Sequence, residues 1–150
     1  MSIALKFKFL FQSFFSNFRT KIKRGKRAGL YRTSAFLRTA CKRSIRRRDG
    51  PSQPNKPPHH HTSSSNGGLR AIEYRVFEDA NMAIVGPIKF AGGNSLNKPV
   101  PAVHEFGGIF ASRKRFYHYE RRSFMKHTLD KMIANGKLPK EFTYGMATQL

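Results

Sequence analysis

In the stretch LRAIEYRVFEDANMAIVGP, residues 69–87, the hydrophobic period of the chain changes to two. Ile72, Tyr74 and Val76 share one face, and Glu73, Arg75 and Phe77 the other, the alternation of a half-buried strand. Asp79-Ala80-Asn81 supplies turn residues. MAIVGP reads as a second, more buried strand, so the stretch predicts a β-hairpin. The segments on either side then set the fold class.

Upstream, Leu30, Leu37, Cys41 and Ile45 recur at helical spacing through LYRTSAFLRTACKRSIRRR, residues 30–48. Asp49-Gly50-Pro51 stops that helix. Arg46, Arg47 and Arg48 have two readings at this stage: cations that complement the helix dipole in its last turn, or cations that face an anion. DGPSQPNKPPHHHTSSSNGG, residues 49–68, carries four prolines and three glycines and predicts a long loop. Its consecutive histidines do not make a metal set. Neighbouring side chains on an extended chain point to opposite faces, the prolines exclude a helix, and no Cys, Asp or Glu lies close by to complete the ligands.

Downstream, VPAVHEFGG is apolar with a single acid, Glu105, and IFASRKRFYHYERR alternates as a further strand. RRSFMKHTLDKMIANGKLPKE predicts a helix with Phe124, Leu129, Met132 and Ile133 on its apolar face and Asn135-Gly136 as its stop. The expected class is α+β: a small antiparallel sheet packed against an N-terminal and a C-terminal helix, with a long Pro/Gly loop and a basic N-terminal arm. Three regions follow: a basic, Phe-rich arm or helix at 1–29, an α+β domain at 30–136, and a C-terminal tail at 137–150.

The arm places Phe7, Phe11, Phe14, Phe18 and Ile22 at helical spacing among lysines and arginines. It suits a helix packed on the body or on a neighbour, or a membrane-surface helix; its first residues also alternate as a short strand does. Gly25 and Gly29 are expected to weaken a continuous helix. The first 48 residues contain no Asp or Glu, which is also the pattern of a mitochondrial transit peptide, so an organellar import substrate stays among the readings. No apolar run approaches the ~20 residues that span a bilayer.

The chain has 150 residues, enough for one ordinary domain, and a formal charge of +21. Self-repulsion on that scale calls for a polyanion or an acidic partner. Fourteen Phe and five Tyr are too many for a wholly disordered basic tail. Cys41 is alone, so no internal disulfide forms, and its spacing from Leu37 and Ile45 marks a small core residue. The eight carboxylates pair at no spacing typical of acid/base or metal chemistry, and no phosphate-loop, nucleophile-elbow or zinc-protease motif is present. Neither an enzyme, a metal nor a cofactor is expected. SRKRFYHYERR interleaves aromatics with cations, which can stack on bases and neutralise phosphates.

Five short pieces stand in a fixed order: Arg43-Ser44-Ile45-Arg46-Arg47-Arg48, then Pro57-Pro58-His59-His60-His61-Thr62 with Leu69-Arg70, then Val85-Gly86-Pro87, then Glu105-Phe106-Gly107-Gly108, then Ser123-Phe124-Met125 with Leu129. In these the chain resembles the tail-completion (head–tail joining, neck) proteins of tailed bacteriophages, the minor-tail-protein-Z-like group, over about residues 30–134. It departs from their pattern in the extra residues Ser63 to Gly68 and at His127-Thr128, where a proline often stands.

The resemblance implies a structural virion protein. Its copies would form a six-fold ring in the neck between head connector or adaptor proteins and the tail tube protein, with genomic DNA passing through. Assembly would take place in the host cytoplasm, without a membrane. On this reading Arg46, Arg47, Arg48, Arg113, Lys114 and Arg115 are the polyanion-facing candidates. Phe7, Phe11, Phe14, Phe18, His61, Thr62, Glu105, Phe106 and Gly107 are the subunit-interface candidates, Glu105 through an arginine within the fold or across a subunit boundary. The competing reading is a basic nucleic-acid-binding protein, such as a ribosome-associated one.

Overall fold

The computed structural model describes residues 3–50, 52–60, 68–79, 81–88, 100–112 and 115–149, with the side chains of 3–14, 100, 110–112 and 115 excepted. The chain begins with one helix, α1, at Ile3–Ser44, 42 residues long. It runs unbroken across Gly25 and Gly29, against expectation, and so joins the arm to the domain. A glycine inside a helix costs about 1 kcal/mol relative to alanine. Here the missing side chains let another helix approach. A Cβ on Gly29 would lie 2.8 Å from the Phe142 ring and 2.9 Å from the Phe142 carbonyl oxygen. A Cβ on Gly25 would lie 3.3 Å from the Met146 carbonyl oxygen.

That second helix is the expected tail. Residues Lys137–Ala147 form α4, which lies across α1. The approach is reciprocal, because a Cβ on Gly145 would sit 2.8 Å from the Cα of Gly29. Arg32 secures the crossing: its Nε donates to Glu141 Oε2 at 2.7 Å, and its guanidinium lies 4.2 Å from the centre of the Tyr144 ring. Pro139 is the third residue of α4, within the first turn, where a missing N–H breaks no helical bond.

The hairpin is present as read. β1 (Ile72–Phe77) pairs antiparallel with β2 (Met82–Pro87), from Ile72 opposite Pro87 to Phe77 opposite Met82. Asn81, at φ 47, makes the turn. Arg38 of α1 clips the hairpin down, donating from Nε to the Ile72 carbonyl oxygen at 2.9 Å and from Nη2 to Glu73 Oε1 at 2.7 Å. β2 is not the more buried strand: Ala83 and Val85 turn inward, while Met82 and Ile84 are about half exposed.

α2 (Val100–Phe106) leads into a second ribbon. Residues 109–122, read as one strand, supply nearly all of both halves: β3 (Gly108–Ser112) pairs antiparallel with β4 (Arg115–Tyr119). The described strands thus form two separate two-stranded ribbons rather than one sheet, within the α+β class. α3 (Met125–Ala134) follows and stops at Asn135-Gly136 as expected, with Gly136 in the left-handed conformation. Ile133 does not belong to its inward face and is 55% exposed; Phe124 and Thr128 are the buried positions.

The core is small and is drawn from three places in the chain. Cys41 and Ile45 from α1, Ile72 from β1 and Phe124 from the start of α3 are sealed from solvent, and Leu37, Leu69, Val85 and Met125 pack around them. Burial pushes the Cys41 thiol up to about 11, with its Thr128 contact pulling the other way, so the thiol is an inert core residue.

Candidate polyanion interface

α1 ends at Ser44, so Arg46, Arg47 and Arg48 lie past the helix rather than in its last turn, where Lys42 and Arg43 stand. All three arginines are exposed. The chain turns at Gly50, φ +85, and residues 52–60 return as a strap along the end of α1. The strap is fixed at two points. The His60 N–H donates to the Arg46 carbonyl oxygen at 3.1 Å, and His60 pairs in parallel with Arg47. The Asn55 N–H donates to the Arg121 carbonyl oxygen at 3.0 Å. Pro58, within the strap, is fully buried, which explains how a proline-rich segment holds a defined path without regular structure.

Between the strap, the end of α1 and α3 lies a groove of about 980 Å³. Arg43, Arg46, Arg48, Lys56, Lys131 and Lys137 line it together with His59 and His127, against one carboxylate, Asp49. Phe36, Ala40, Pro57 and Met132 supply apolar wall. None of those six cations is paired with a described carboxylate. The described ion pairs engage Glu73 with Arg38 and Lys42, Glu78 with Arg27, Glu141 with Arg32, and Asp130 with Lys126. Six cations drawn together against one carboxylate raise the local potential and attract anions.

Two of the expected polyanion-facing residues, Arg46 and Arg48, are thus brought together, and Arg47 is committed through its backbone to the strap. Arg113 and Lys114 lie outside the described residues, and of Arg115 only the backbone, in β4, is described. Arg43, Lys56, Lys131 and Lys137 join them as anion-facing residues beyond those expected from the sequence. The one available signal was His127 and Lys131, four apart on a helix face.

Among the described residues Glu105 meets no arginine side chain through its carboxylate; it caps α3 instead. Its Oε2 accepts the N–H groups of Phe124 at 2.9 Å and Met125 at 3.0 Å, and its Oε1 accepts the Lys126 N–H at 2.8 Å and the Ser123 hydroxyl at 2.7 Å. An arginine does reach its backbone, where Arg121 Nε donates to the Glu105 carbonyl oxygen at 3.2 Å. The residue at the helix entrance is Phe124, which has no oxygen to offer, so α2 supplies the cap from 19 residues away. Burial pushes the Glu105 carboxyl up, but the hydrogen bonds from Met125, Ser123, Lys126 and Phe124 outweigh it and hold the group below the usual carboxylate range.

Gly107, next in sequence but one, adopts φ +72, a conformation that strains other residues, and a Cβ there would lie tightly at 3.1 Å from the Arg121 nitrogen. Phe106 and Phe18 are exposed. Phe7, Phe11 and Phe14 lie in α1 with side chains outside the described set, and His61 and Thr62 lie outside the described residues.

Among the described residues no group of three or more His, Cys, Asp or Glu is placed to hold a metal, and no helix is long and apolar enough to cross a membrane. Compared with models of protein families, with curated proteins and with solved structures, the chain matches none.

Proposed function

We propose that the chain is a structural subunit of a bacteriophage neck, one of several copies in a closed ring that joins the head connector to the tail tube and lets DNA pass. The observation that carries this reading is where the five short sequence pieces meet. Ile45 from the first piece, Leu69 from the second, Val85 from the third and Phe124 from the fifth share one core. Glu105 from the fourth holds the backbone of the fifth. His60 sits on the backbone of the first and 3.5 Å from Arg70. Pieces that specify one fold should converge in this way; chance matches scattered along a chain need not.

A ring also requires one surface to complement another. The β3–β4 ribbon offers such a surface. Tyr119 turns its ring to His104 of α2, while Ile109 and Phe116 share the opposite face and are 73% and 80% exposed. Phe106, at 75%, adds a third exposed apolar side chain close by in sequence. Apolar groups grouped on a surface mark protein contacts. In this account the ribbon meets a second copy of the chain. Replacing Ile109 and Phe116 together by Glu should leave helix content unchanged and abolish the ring, read by sedimentation of the purified protein.

Deleting the gene from its phage tests the function itself. The expected result is filled heads and free tails that do not join, restored by the gene in trans. Normal joined particles would overturn the reading. The basic groove favours the second reading, a nucleic-acid-binding protein outside the virion, which predicts that the chain sediments with ribosomes and is lost from them at high salt.

A further inference from the structure

We infer that the groove between the end of α1, the strap 52–60 and α3 binds nucleic acid through its phosphates, without reading bases. The inference concerns the isolated chain and does not depend on a place in a neck.

The distribution of charge carries it. Glu73, Glu78, Asp130 and Glu141 are spent on ion pairs elsewhere, and Glu105 is spent on the α3 cap. The groove is left with Arg43, Arg46, Arg48, Lys56, Lys131 and Lys137 against Asp49. These cations come from α1, the segment after it, the strap, α3 and the first residue of α4, so folding gathers them; no single charge run does. Placing like charges together opposes folding and is compensated when an anion fills the space.

A nucleic-acid backbone suits that space better than an acidic peptide. It presents a charge every few ångströms, about one per 1.7 Å of duplex axis, and it needs no partner for a peptide backbone. Arginine guanidinium groups match phosphate oxygens in a two-pronged geometry, and lysines add point charge. Six of the lining side chains are cations, the groups that contact phosphates, so binding is to the backbone.

The test is fluorescence anisotropy of the full chain with a labelled 20-base-pair duplex of arbitrary sequence, over a salt series. Each phosphate contact contributes a slope of about −0.9 in log K against log salt. The triple variant Arg46→Gln, Arg48→Gln, Lys131→Gln should bind at least tenfold more weakly, with a slope shallower by about 2–3. A matched control, Arg19→Gln, Lys23→Gln, Lys26→Gln, removes the same charge from a second cleft beside Glu78 and Asp79 and should change binding less than threefold. Equal losses in the two triples would overturn the inference, because binding would then follow net charge and not the groove. So would tighter binding of a polyglutamate peptide than of DNA at the same salt, which would make the groove a protein-docking site. Circular dichroism checks the fold, and exposed Arg48→Gln alone, expected to lower the slope by about 1, serves if the triple variant does not fold.

Discussion

Glu105 shows how one side chain ties distant segments together. Three backbone N–H groups and a hydroxyl converge on its carboxylate, and they belong to a helix whose own first residue cannot cap it. Charge-assisted hydrogen bonds of this kind are worth about 1.5–3 kcal/mol, and losing an N-cap costs about 1 kcal/mol. Glu105→Gln should therefore lower the unfolding free energy by about 2–3 kcal/mol in denaturant titration, since an amide retains one acceptor and turns a donor toward donors. The pH dependence follows from the depressed carboxyl. Its contribution is complete above the unfolded value of about 4.3 and is lost as pH falls through the folded value. The wild-type chain should lose stability below about pH 4.3, and the Gln variant should lose less over the same window; parallel curves would count against the cap. His104 acts in the same direction at higher pH. Burial, then the nearby Arg122, holds it below its ordinary value, so protonation favours the unfolded chain as pH falls below about 6.5.

At the scale of elements, the contacts that escaped the sequence are those made by backbone. The β1–β2 hairpin, the Cys41–Ile45 stripe and the Asn135-Gly136 stop were legible because side-chain period and turn chemistry encode them. The α1–α4 crossing was not. It is built on Gly25, Gly29 and Gly145, residues that lower helix propensity when read locally and permit close approach only once the partner helix is known. The β3–β4 ribbon was misread as one strand for a related reason: alternation runs through Phe110 to Tyr117 without a glycine or proline to mark a reversal. The crossing can be tested directly. Gly145→Val places a side chain against the backbone of Gly29 and should destabilise the chain by about 1–3 kcal/mol, with α4 becoming the first site of limited proteolysis. An unchanged melting temperature and cleavage pattern would mean that α4 does not dock through its glycine.

Over the whole molecule, 29 cations meet only eight carboxylates, and folding decides where the surplus is concentrated. The arginine run at 46–48 announced part of the groove, and Arg46 and Arg48 do line it. Lys56, Lys131 and Lys137 sit in three separate segments and become neighbours only when the strap and α3 close on the end of α1. The place of this molecule in a larger assembly is reached most directly by weighing that assembly. Tailed phage particles carrying the gene, purified and washed with nuclease and high salt, should contain this chain at a handful of copies per particle when counted against the major capsid protein by quantitative mass spectrometry. Complete absence from the washed particles would contradict the account and leave the groove to a nucleic-acid-binding protein of the host cell.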